Sequence, residues 1–270
     1  MIIFEICEKR NKNESILGYL LYYERSKRFF AEILNETDEW TAPFMFSGHV
    51  KKGIYSIDSE WSGKFVRQRI IPPDRQNLGS ILKDNNLKSY DELKLLLLCE
   101  GRCAQDELYL KRVSEKDILP EIKERLEHKV LEVMALGDSK VLVFFRDKES
   151  RIIDLQKLKG NDRAFANVLM DKEVFENVRV SPGGNGIEWG EERFIPAELL
   201  RKKGKKSEIA FEDVKVFIKT RLYDTADLTE YLGCSRQYIK QMADKGKCAA
   251  VREASNTNLY FKSRFETETG

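Results

Sequence analysis

The chain has 270 residues, with 47 lysines and arginines against 45 aspartates and glutamates, and is 41% hydrophobic and 34% charged. That composition describes a folded, soluble protein with a heavily charged surface, and a net charge of +2 singles out no class of partner. No apolar run approaches the ~20 residues that span a bilayer, which excludes a membrane-spanning helix. The apolar start, MIIFEIC, is too short for a signal peptide, and five cysteines in no disulfide-like spacing predict reduced thiols in a bacterial or phage cytoplasm. The length suits two or three small domains. The expected fold class is α+β, with a mixed N-terminal domain over 1–125, a small α+β meander domain over 126–204 and a C-terminal domain over 205–270.

In the N-terminal region, 2–7, 16–23 and 29–34 have strand composition and are separated by polar turns at Asn11, Asn13 and Ser26. Pro43, Gly48 and Gly53 punctuate a less regular stretch, and Pro72-Pro73 forbids a helix at that point. Asn77 is placed to cap a helix reaching about Lys83. Ser89 or Asp91 is placed to cap another, whose Leu93, Leu95, Leu96, Leu97, Leu98 and Cys99 read as interior. Arg67, Arg69, Arg75 and Arg102 offer guanidinium forks suited to phosphate or carboxylate, and so a possible partner surface. The bland alternative is an internal network with Asp74, Asp91, Glu92 and Asp106, and those neighbours favour it. Gly18, Leu20 and Tyr22, followed by Ile71-Pro72-Pro73, Arg75, Leu82, Asp91, Leu97-Leu98 and Gly101, resemble the N-terminal subdomain of HipA-type toxin kinases. The kinase core is missing: neither a glycine-rich phosphate loop nor a catalytic Asp/Asn pair follows. The resemblance implies a toxin–antitoxin or regulatory setting rather than kinase activity.

The middle region alternates as a β-meander over 130–136, 140–145 and 151–154, turned by Gly137-Asp138 and Asp147-Lys148-Glu149. Asn161 or Asp162 is placed to cap a short helix carrying Phe165, Val168 and Leu169. Phe175 and 178–180 read as a further strand, turned by Pro182-Gly183-Gly184-Asn185-Gly186 and returned by Ile187-Glu188-Trp189. Pro196 suits the first turn of a closing helix. The glycine-rich turn lacks the Lys-Ser/Thr pair and the following helix of a phosphate loop, so it reads as a hairpin turn. Gly137-Asp138, Val143, Phe145, Asp154, Phe175, Val178, Ile187, Trp189, Ile195-Pro196 and Leu199 are similar to a small bacterial family, domain-of-unknown-function family 2442. That similarity implies a small α+β fold and a regulatory context, with no catalytic residues attached.

A basic stretch, 201–207, reads equally as a solvated linker or as a track for DNA phosphates. A helix over 211–221 follows, with Val214, Phe217 and Ile218 on one face. Asp224 is placed to cap the next helix, with Asp227 three residues on and Leu228, Tyr231 and Leu232 inward; Gly233 turns the chain. Ser235 caps a second helix over 236–244, with Ile239, Met242 and Ala243 on one face and Arg236, Gln237, Lys240 and Gln241 on the other. A hairpin over 249–252 and 259–262 closes the stretch. Leu232-Gly233, Ser235-Arg236, Ile239, Gly246-Lys247, Arg252 and Leu259-Tyr260-Phe261 resemble the winged-helix DNA-binding domains of the excisionase and MerR-like group.

By that resemblance Ser235, Arg236, Gln237, Tyr238, Lys240 and Gln241 enter the groove, and Lys245, Lys247 and Arg252 hold phosphates. The hairpin tip at Asn256 and Asn258 lies at the minor groove. The expected partner is double-stranded DNA, and the expected role a transcriptional regulator or antitoxin-like repressor of a bacterial or mobile-element locus, with a homodimer left open. Asp224, Asp227, Glu230, Asp244 and Glu253 nearly cancel the local cations. This keeps open an adaptor or inhibitor that binds a toxin or other protein. No motif calls for catalysis, a cofactor or a metal. His49 and His128 lie a domain apart, and Cys99 and Cys103 have no second ligand pair.

Overall fold

The computed structural model describes residues 1–10, 13–158, 168–190, 193–245, 250–253 and 257–262. The chain divides into two compact units, Met1–Ser207 and Glu208–Gly270. Both combine helices with antiparallel sheets, as expected of an α+β protein.

The first unit opens with a five-stranded antiparallel sheet in the order β4-β3-β2-β1-β5. Its strands are β1 (Ile2–Arg10), β2 (Asn13–Tyr23), β3 (Arg28–Ile33), β4 (Ser56–Ile57) and β5 (Leu108–Val113). Both faces are apolar because both are covered. Phe4, Ile6, Leu20, Tyr22, Phe29, Ala31 and Ile33 pack with residues of α1 (Phe44–Val50), α2 (Ser59–Arg69) and α4 (Glu92–Leu98). Ile3, Tyr19 and Leu21 pack with Ile118 and with Ile122 of α5 (Pro120–Glu127), a helix begun by its proline. A short α3 (Leu78–Asp84) lies between α2 and α4 in sequence.

Two helices absent from the sequence-based expectation, α1 and α2, carry much of this core: Phe46, Phe65 and Val66 are fully buried. Asp58 caps α2 by accepting from the Trp61 amide at 2.9 Å. Pro72-Pro73 does not conflict with that helix, because Ile70 is already extended. Asp91, rather than Ser89, caps α4. The leucine run of α4 is not interior throughout: Leu95 and Leu96 are buried, whereas Leu97 and Leu98 are 42% and 53% exposed. A helix of seven residues turns one stripe inward, and four consecutive leucines, which occupy about a full turn, cannot all share it.

The second half of this unit holds two further sheets. One has the order β12-β8-β7-β6, from β6 (Val130–Leu136), β7 (Lys140–Phe145), β8 (Ser150–Asp154) and β12 (Lys205–Lys206); the other joins β9 (Arg179–Val180), β10 (Gly186–Glu188) and β11 (Phe194–Pro196). They share a core of Val141, Val143, Phe145, Ile153, Ile187, Trp189 and Leu200, and the Trp189 indole donates to the Phe175 carbonyl at 3.0 Å. Phe175 lies in a helix, α6 (Lys172–Glu176), and not in the expected strand, because Asp171 caps the turn through the Val174 amide. Pro196 ends β11 and precedes α7 (Ala197–Lys203) rather than occupying its first turn. The basic stretch 201–207 is no free linker: it completes α7, and Lys205 and Lys206 pair with β8. The expected cap at Asn161 or Asp162 and its Phe165 lie outside the described residues.

The second unit comprises α8 (Phe211–Arg221), β13 (Leu222–Asp224), α9 (Thr225–Leu232), α10 (Arg236–Asp244) and β14 (Leu259–Phe261). Leu228, Ile239 and Tyr260 form its small core. Among the described residues no helix is long and apolar enough to cross a membrane.

Candidate nucleic-acid interface

Local hydrogen bonds fix the α9–turn–α10 geometry. The Asp224 carboxylate accepts from the amides of Ala226 and Asp227 at 2.7 and 2.8 Å, and Asp227 accepts from the Asp224 amide at 3.1 Å. These reciprocal bonds satisfy donors that the first turn of a helix leaves open. Gly233 ends α9 at φ 62°, a left-handed conformation that a side chain disfavours. The Ser235 hydroxyl then accepts from the Tyr238 amide at 3.2 Å and starts α10.

Helix α10 is two-sided. Ile239 is 1% exposed against Leu228 and Tyr260, with Met242 and Ala243 packed at the edge of that cluster. Arg236, Gln237, Tyr238, Lys240 and Gln241 all face solvent, as does Lys245 just beyond the helix. Among the described residues no ion pair engages Arg236, Lys240 or Lys245, so their charges are available to a ligand. Ser235, by contrast, uses one lone pair of its hydroxyl in the cap, which leaves its O–H to act as a donor.

Strand β14 pairs with β13 in the register Tyr223↔Tyr260, and Leu259 also bridges to Arg252. The expected pairing of Arg252 with the 259–261 strand is present, and β13 adds a partner on the other side. Arg252 is exposed. Asn258 is half-buried and its amide donates to Thr225 Oγ1 at 3.3 Å, tying the strand to the start of α9. Lys247 and Asn256 lie outside the described residues.

Of the four arginines of the first unit, one is withdrawn from the surface. Arg69 is buried, paired with Asp106 and stacked 3.7 Å over the Phe65 ring, which removes it from the expected partner surface. Arg67 lies 3.6 Å from Glu92, Arg102 lies 3.5 Å from Glu100, and Arg75 donates to Asn77 Oδ1 at 3.0 Å. Cys99 and Cys103 bond separately, to main-chain carbonyls and to Asp106. Among the described residues no group of three or more His, Cys, Asp or Glu side chains is placed to hold a metal ion.

Two buried charge clusters of the first unit carry no sequence signal, because their members are distant in the chain. Glu32 meets Arg125 and Lys129, and Glu188 meets Arg28 and Arg179. Only a matched pair of buried opposite charges betrays such clusters, and a single sequence does not display the pairing.

Residues 130–205 match the family described as protein of unknown function (DUF2442), in agreement with the similarity read from the central segment. Comparisons with curated proteins and with solved structures returned no match.

Proposed function

We propose that the second unit is a winged helix-turn-helix that binds duplex DNA sequence-specifically, and that the protein is a transcriptional regulator or antitoxin-like repressor. The two-sidedness of α10 carries this reading: one face is sealed by Ile239, and the other presents two cations, two amides and a phenol to solvent. Arg and Gln forks at that spacing match base edges in the major groove, while Lys245 and Arg252 flank it for phosphates. The test is binding to duplex from the protein's own promoter against scrambled duplex over a salt series. Selective binding with a negative salt slope is expected. Arg236→Ala with Lys240→Ala should weaken specific binding by roughly 10- to 100-fold without unfolding the chain. Unchanged affinity of that variant sinks the assignment.

A second reading, an adaptor for a protein partner, draws on α8, where Val216, Phe217 and Ile218 are 58%, 50% and 50% exposed. Large apolar side chains grouped in this way are a common feature of protein-binding surfaces. Absence of DNA binding at low salt, together with a stoichiometric protein that co-purifies, favours it.

A further inference from the structure

Strand β10 places Glu188 inside the first unit with its side chain 3% exposed, and two guanidinium groups converge on it. Arg28 Nη1 donates to both carboxylate oxygens at 2.9 and 3.1 Å, and Arg179 Nε donates to Oε1 at 3.1 Å. Arg28 Nε is spent on Ser59 Oγ at 2.9 Å. Glu188 therefore holds both arginines in fixed orientation while taking only part of their donor capacity. Arg28 Nη2 and the two Nη atoms of Arg179 keep their hydrogens for another acceptor.

These groups line a cleft of about 680 Å³ between the β2–β3 turn and the β9–β10 hairpin. Arg25, exposed on the first of those turns, adds a third guanidinium, and Tyr23, Val180, Pro182 and Gly183 form the wall. Gly183 has φ 72°, and a Cβ there would fall 2.0 Å from the Tyr23 ring, so the wall closes only around glycine. Glu24 at the rim pairs with the Met1 amino group at 3.4 Å. Three arginines against the one buried carboxylate leave two positive charges.

We propose that this cleft binds the phosphate group of a small phosphomonoester, with Arg25, Arg28 and Arg179 as its donors. A phosphomonoester carries close to two negative charges at neutral pH and three terminal oxygens, which matches both the charge excess and the three guanidinium groups that line the cleft. A carboxylate supplies half the charge and one oxygen fewer. The volume lies within the roughly 300–1,000 Å³ of small-molecule sites. Such a ligand site is independent of whether the second unit binds DNA, and its test makes no use of DNA.

The probe is glycerol phosphate, titrated calorimetrically into the full chain, with malonate at matched ionic strength as the dicarboxylate control. Saturable one-to-one binding, tighter than that of malonate, is expected. Arg25→Gln and Arg179→Gln each weaken it about tenfold, the loss expected for one charge-assisted hydrogen bond. Both side chains sit at the rim, and Arg179→Gln leaves Glu188 paired with Arg28. A measurement on the unaltered chain guards against misfolded variants: glycerol phosphate should protect Arg25 and Arg179, but not Arg236, from phenylglyoxal. No saturable heat, equal affinity for malonate, undiminished binding by the double variant, or protection absent from Arg25 and Arg179 each overturns the proposal.

Discussion

Glu32 of β3 and Lys129, 97 residues apart, form an ion pair inside the first unit, their side chains 0% and 3% exposed. Glu32 also accepts from Ser56 Oγ at 2.7 Å and Arg125 Nη1 at 3.2 Å. An enclosed carboxylate is tolerated because these donors replace its water. Lys129→Met removes one charge and leaves the other under-compensated, which costs about 3–5 kcal/mol in urea unfolding. Adding Glu32→Gln to that variant should recover a large part of the loss. A single-variant cost below about 1 kcal/mol would place the pair in contact with water.

The α9–α10 connection depends on two residues chosen for backbone reasons. Gly233→Ala puts a Cβ into a left-handed conformation, and Ser235→Ala removes the acceptor of the Tyr238 amide. Each should destabilise the second unit by about 1 kcal/mol. Thermal melts of the two single variants and the double check this, and near-additive losses are expected.

Ile239 is the linchpin of a core with few members. Leu228, Ile239 and Tyr260 are its buried residues, so Ile239→Ala should cost about 2–5 kcal/mol, a large share of what a small domain possesses. Limited proteolysis should then cut within 208–270 while the 1–207 fragment survives. Survival of both units intact would show that Ile239 is dispensable.

Cys7 gives an alkaline signature. Burial, aided by nearby Glu5 and Glu14, pushes its thiol from 9.0 up to about 11. The folded state therefore resists ionisation that the unfolded chain accepts. The associated stability is fully present below pH 9 and is lost as pH rises from 9 towards 11. Over that window Cys7→Val should lose less stability than the unaltered protein. Parallel pH profiles of the two would remove Cys7 as the source.

At His49 the sign is opposite at the acid end. Burial lowers its affinity for a proton, outweighing the pull of Asp58. The unfolded chain then binds the proton first, so stability falls as pH drops below 6.5. His49→Gln should flatten the profile between pH 7 and 5, read by chemical denaturation at each pH.

The strands expected over 2–7, 16–23, 130–136 and 140–145 and the helices over 211–221 and 236–244 were legible because period and capping residues are local properties, although the first two strands extend further, to 2–10 and 13–23. The α10 face was legible for the same reason: Ser235, Ile239 and Arg236 declare cap, interior and exterior within one turn. Helices α1 and α2 were not, since Pro43, Gly48 and Gly53 mask the pattern and Phe46 and Phe65 acquire meaning only against the sheet. β5 and α5 were missed because their few buried side chains, such as Leu108, Leu110 and Ile122, belong to cores assembled by distant strands. The Glu188 cleft lies further out of reach, because Arg28 and Glu188 are 160 residues apart.

Arg28 lies outside the 130–205 segment that matches a family, and Glu188 lies within it. Inheritance of that segment is thus not the same as inheritance of a self-sufficient part. Transplanted alone, it would take Glu188 and Arg179 but leave the better-buried guanidinium behind. A chimaera that exchanges 130–205 for a relative's segment must keep a carboxylate opposite Arg28 or surrender the arginine as well. The two stretches are bound to change together, whatever role the segment plays elsewhere.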